Sequence, residues 1–289
     1  MTSKAGQAVL LRACLAAWTL SVAGTGLGAQ EAFRTETRVE SLAFGAILRV
    51  RNRNGDIHVS GWDREEVALS AEIRDAPSRR VDLVIQHSGA DLDIEAQFQQ
   101  PLLSLPLVYA ASPKCRMVLS VPRRLLGYFR TTNGALAATG LEGYVRCETT
   151  NGDIALGAIA GEVSAETSNG NVEARELHAR IKGGTGNGRI VLEDVDGQVR
   201  MYATNGSIEA RNLEGWAEGI SLECTNGSID LTLGRATGDL LAATRNGTVR
   251  VQLPGLQPLE RGPRRVHLKI PGRNQKIVLA TTNGNIQVR

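Results

Sequence analysis

The side chains in this sequence that could carry catalysis are scattered. Cleaving a glycan needs two carboxylates converging on one face, commonly beside an Arg or Lys. Asp153, Glu173, Glu209 and Asp230 fall at outward positions of a repeat, but Arg189, Ser207 and Arg250 interleave with them. Mixed signs of this kind mark a solvated surface. Zinc needs clustered ligands, whereas His58, His87, His178 and His267 stand far apart with neither HxxxH nor Cys-pair spacing. No GxSxG nucleophile motif occurs. Residues 183–188 read GGTGNG, close to the calcium nonapeptide G-G-x-G-x-D, but Gly188 stands where the ligand Asp would be. Calcium takes about six to eight oxygens, and the single trio Glu193, Asp194 and Asp196 reads as a loop. Neither a catalytic residue nor a metal or cofactor site is expected.

What remains is charge. A polar excursion at 257–276 carries Arg261, Arg264, Arg265, Lys269, Arg273 and Lys276. Such a cluster suits phosphorylated lipid headgroups or acidic glycans. Basic residues also guard exposed strand edges against pairing. Over the chain after residue 29 the balance is even: 33 Lys+Arg fall to 31 without Lys4 and Arg12, against 30 Asp+Glu. That balance does not predict nucleic-acid binding, which requires a concentrated positive field. With 4% aromatic residues, an aromatic-lined sugar or base groove is not expected.

Residues 1–29 read as a secretory signal peptide. Lys4 and Arg12 precede the apolar stretch 13–23, which falls short of a membrane span, and Leu27-Gly28-Ala29 is a plausible cleavage end. No later run approaches span length. Export to the periplasm, cell surface or medium follows. Cys115, Cys147 and Cys224 then remain, an odd number, and read as small buried hydrophobes rather than a disulfide framework.

The elements that position these groups are set by Asn-Gly. The dipeptide recurs at Asn133, Asn151, Asn169, Asn187 and Asn205 with 18-residue spacing, then at Asn226, Asn246 and Asn283, with one early copy at Asn54. A fixed period of this size is the mark of a solenoid or array. Two residues after each Gly stand Leu136, Ile154, Val172, Ile190, Ile208, Ile229 and Val249. Two further on stand Ala138, Leu156, Ala174, Leu192, Ala210, Leu231 and Val251. This alternation is that of a half-buried strand. A third apolar column, Leu141, Ile159, Leu177, Val195 and Leu213, lies three residues on, so the chain turns a corner between them.

Two architectures suit the pattern: a parallel β-solenoid, or an antiparallel meander with an Asn-Gly hairpin turn per unit. A meander has no reason to repeat Thr two residues before each Asn. Stacked coils do, so Thr131, Thr149, Thr167, Thr185 and Thr244 are expected to form a ladder beside stacked Asn amides. The expected organisation is a signal peptide at 1–29, an N-terminal β region and cap at 30–130, and an all-β solenoid of ~18-residue coils at 131–289 with the basic insertion at 257–276. In a solenoid Cys147 and Cys224 lie four coils apart, ~19 Å, too far for a disulfide. Cys115 could pair with Cys147.

The opening segment Leu48–Trp62, the strand Val118–Pro122 and the serial T-x-N-G-x-I units resemble the bacterial DUF4097 family, which carries an adhesin label. The resemblance covers roughly residues 42–289. It implies an exported, β-solenoid-like protein of the bacterial envelope and carries over no catalytic or ligand residue. The function expected is a non-enzymatic adhesion or interaction scaffold, its partner a protein or glycan of the envelope. A periplasmic sensory or regulatory partner of an envelope complex, and a carbohydrate-active β-helix enzyme, are the alternatives.

Overall fold

The computed structural model describes residues 33–76, 79–99, 112–215, 219–272 and 275–289. Residues 1–29, read above as a signal peptide, Arg273 and most of the Pro-punctuated stretch 101–113 lie outside the described residues. All regular structure among the described residues is β-strand, and no helix among them is long and apolar enough to cross a membrane.

One unit shows how the sequence folds. After Asn151-Gly152 the chain runs outward as strand Ile154–Gly157, with Ile154 and Leu156 buried. Ala158 then adopts the left-handed conformation at φ 49° and reverses the direction of the side chains, which is how Ile159 also comes to face inward. The strand Ala160–Asn169 brings the chain back to the next Asn-Gly. Glu176, Asp194 and Asn212 repeat the left-handed corner, as the three-residue step in the apolar columns requires.

Successive units stack in parallel. Ile154 pairs with Val172, Val163 with Ile181, and Asn151 with Asn169, an 18-residue register throughout. The antiparallel meander is thereby excluded for the repeat block. The interior is dry and aliphatic, with Val163, Val172, Leu177, Ile190, Leu192, Val199 and Ile208 fully buried.

Both expected ladders are present. Asn151, Asn169, Asn187 and Asn205 each donate Nδ2 to Oδ1 of the Asn one rung before, at 2.8–2.9 Å. The hydroxyls of Thr149, Thr167 and Thr185 donate to the carbonyls of Gly134, Gly152 and Gly170 at 2.8–3.0 Å. Cys224 occupies the same column and donates its thiol to the Gly206 carbonyl at 3.1 Å. Ala203 is the gap in this column. Ala203→Thr should therefore add a bond to the Gly188 carbonyl, stabilise by about 1 kcal/mol, and raise Tm by about 2–4 °C in a thermal melt.

The stack departs from sequence order at both ends. Parallel rungs already form upstream of residue 131, where Ile47–Arg51 lies between Asp91–Phe98 and Arg124–Arg130. Its continuation Ile57–Trp62 lies between Lys114–Pro122 and Leu136–Thr139. At the other end Gln275–Asn283 lies between Ile220–Asn226 and Gly238–Asn246. Ile286–Val288 likewise lies between Ile229–Leu233 and Val249–Val251. Antiparallel strands cover the outermost rungs. Val81–Ser88 pairs with Asp91–Phe98, Glu66–Arg74 with Lys114–Pro122, and Arg265–Ile270 with Gly238–Asn246. Each covers an edge that would otherwise invite strand addition.

Candidate functional site

The outward columns of the rungs are knitted together. Arg175 bonds Glu173 and lies 3.6 Å from Glu193. Arg189 and Arg211 reach Glu209 at 3.6 and 3.8 Å. On the other leg Arg146 bonds Glu148, and Lys182 lies 2.9 Å from Glu162. The carboxylates Glu173 and Glu209 are thus engaged by neighbouring cations. The trio Glu193, Asp194 and Asp196 also disperses. Asp194 accepts from Asn212 at 3.0 Å from its corner, and Asp196 faces His178 at 3.4 Å.

Cys115, Cys147 and Cys224 are free and buried. Cys147 aligns in register with Ala165, Gly183, Met201 and Leu222. Cys224 lies four rungs away, on the Thr column. Burial pushes the Cys115 and Cys147 thiols up to about 12 and raises Cys224 as well. The thiolate is the nucleophile, so none of the three is poised for chemistry near neutrality. A stability effect follows. Unfolded thiols ionise near pH 9, while folded Cys147 keeps its proton until about 12. The stabilisation is complete below pH 9 and is lost as pH rises between these values, by about 1.4 kcal/mol per pH unit. Urea titrations from pH 7 to 11 should show a shallower alkaline decline for Cys147→Ala than for the parent.

Among the described residues, a concentration of cations outside ion pairs lies at the C-terminal end of the stack. The basic excursion forms an antiparallel hairpin, Glu260–Arg261 and Arg265–Ile270, laid on the edge of Gly238–Asn246. Val266 and Leu268 turn inward and are buried, while Arg261, Arg264, Arg265 and Lys269 are exposed. Arg265 pairs with Glu260 at 3.3 Å. Among the described residues Arg261, Arg264 and Lys269 make no ion pair. Lys276 stands apart from the hairpin, on Gln275–Asn283, and Asp239 lies in register between it and Lys269. The structure therefore gathers Arg261, Arg264 and Arg265 at one turn and places Lys269 and Lys276 on either side of an acid.

Beside the arginines lies a groove of about 470 Å³, lined by Val249, Val251, Leu253, Leu256, Val266 and Leu268, with Arg250 and Arg261 also contributing. Charge-based reading of the excursion missed it. The signal was the alternation Val266-His267-Leu268 and the apolar segment 253–259 preceding the cations.

Several solved structures are similar to this chain. A candidate adhesin from Bacteroides fragilis is 12% identical, with 91% of this chain and 100% of that one covered and a TM-score of 0.49. A candidate cell adhesion protein from Clostridium sporogenes is 10% identical, with 88% and 99% covered and a TM-score of 0.29. A candidate lipid-binding protein from Parabacteroides distasonis is 16% identical, with 87% and 96% covered and a TM-score of 0.40. None of the curated proteins matches the chain. The family model described as Toastrack DUF4097 matches residues 48–289, a span that runs from the first parallel rung through the last, and the chain belongs to that family.

Proposed function

We propose that this protein is a non-enzymatic, exported scaffold of the bacterial envelope that meets an anionic surface through the C-terminal end of its β-stack. The supporting observation is the segregation of charge. Along the rungs, cations such as Arg146, Arg175, Lys182 and Arg189 lie against carboxylates. On the capping hairpin Arg261, Arg264 and Lys269 are exposed and make no ion pair among the described residues, Lys269 standing in register with Asp239. Unpaired cations beside a half-apolar groove attract and seat an anionic amphiphilic surface, with an attraction that salt screens.

The test is retention of the chain lacking residues 1–29 on vesicles of anionic lipid, on zwitterionic vesicles and on acidic polysaccharide. Retention on anionic vesicles, weakened at least tenfold by the triple change Arg261→Glu, Arg264→Glu and Lys269→Glu and by raised salt, supports the reading. Retention on the polysaccharide alone moves the contact to a glycan. Equal retention of parent and variant on every surface overturns the assignment to this hairpin.

A further inference from the structure

Residues 275–289 fill a slot that two other rungs build. The rungs at 220–233 and 238–251 are neighbours in sequence but not in space. The strands Gln275–Asn283 and Ile286–Val288 lie between them and pair in parallel with both. Each wall hydrogen-bonds the inserted segment. Gly227 and Ile229 donate backbone N–H to the carbonyls of Asn283 and Asn285 at 2.8–2.9 Å, and Gly284 and Ile286 donate to Asn246 and Thr248 at 2.9–3.0 Å. The amide ladder passes through the same point, from Asn246 to Asn283 to Asn226, with both bonds at 2.8 Å. Ile277, Leu279, Ile286 and Val288 complete the interior and are fully buried.

What the slot recognises is generic. Its walls offer the Asn amides, Gly carbonyls and strand edges that every internal rung offers, and its occupant carries the same T-x-N-G-x-I chemistry. The walls have no means of distinguishing the strand of their own chain from that of another copy. The link is also short. Ile270 and Gln275 both pair with Gly238, on its opposite edges, and only four residues separate them in sequence. Short hinges of this kind favour exchange of the following element between molecules.

We propose that this slot is a strand-binding site that takes residues 275–289 from a second copy of the chain as well as from its own, giving a strand-exchanged dimer. Occupation from outside would make the same parallel ladder, a form of β-augmentation inside the stack rather than at its edge.

The test uses Ala243 and Ala280, which pair in register on the outward face of adjacent strands and are half-buried. Full-length Ala243→Cys and Ala280→Cys chains, of different tag length, are unfolded together, refolded at high concentration and oxidised. Exchange places the two new thiols side by side between chains. A disulfide-linked heterodimer is expected on a non-reducing gel, absent from either variant alone. Its yield should fall severalfold when six residues are inserted after Gly272 to relax the link. Cys115, Cys147 and Cys224 are buried, and Cys14→Ser in both chains leaves the readout clean. A chain carrying both substitutions should close an intramolecular disulfide. If it does so while the mixture yields no heterodimer, the proposal is overturned. Should the double variant fail to oxidise, co-refolding of tagged and untagged parent chains decides. Co-capture that is lost on lengthening the link supports exchange, and no co-capture refutes it.

Discussion

Gly206→Ala should destabilise the protein by about 3–5 kcal/mol and lower Tm by on the order of 10 °C. A Cβ at this position would sit 1.8 Å from the carbonyl oxygen of Gly188 in the rung before. Neither backbone can yield cheaply. Gly206 donates its N–H to Asn226 on the next rung at 3.0 Å, and Gly188 donates to Asn205 at 3.0 Å. The collision recurs down the column, since a Cβ on Gly170 would lie 2.0 Å from the Gly152 oxygen. Relief at one rung therefore presses on the next. Thermal melts of the variant check the prediction. A shift of under 2 °C would mean that the corner is softer than its hydrogen bonds imply.

Leu192→Ala should cost about 4 kcal/mol, near the upper part of the range for truncating a buried leucine. Leu192 is fully buried and stacks in register between Ala174 and Ala210 on the rungs either side. A cavity opened there has only the two alanine methyls beside it in the column, too small to relax into it. Met201 instead lies in register between Gly183 and Leu222. Met201 is unbranched and adaptable, so truncating it should cost less than truncating Leu192. Urea midpoints of the two alanine variants measure the difference, and equal costs would contradict this account of the packing.

Much of this architecture is legible in the residues. The 18-residue recurrence of Thr and Asn has a purpose only if equivalent positions stack, and the Asn151–Asn169–Asn187 ladder is that purpose realised. The three-residue step from Leu156 to Ile159 signals the corner at Ala158. Rung order is a different matter. Asn226, Asn246 and Asn283 carry the same local code, so nothing in the code states that 283 stacks between the other two. The early Asn-Gly at Asn54 is recognisable, but one neighbour of its rung, Asp91–Phe98, carries no Asn-Gly to mark it. The basic excursion is visible as charge, whereas its role as an edge-covering hairpin depends on Val266 and Leu268, whose alternation is too short to stand out.

The amide ladder has a bearing on how this protein ages. In a loose chain, Asn followed by Gly sheds ammonia readily, because the Gly nitrogen can swing onto the Asn side-chain carbonyl with no Cβ in its way. In the stack that nitrogen is occupied: Gly188 donates to Asn205 and Gly170 to Asn187, each at 3.0 Å. The amide it would attack is itself tied to the rung before. The dipeptide that builds the molecule is thus chemically durable only while the rungs stay shut. Conversion of Asn187 to aspartate or isoaspartate during storage becomes a molecular clock for how often they open.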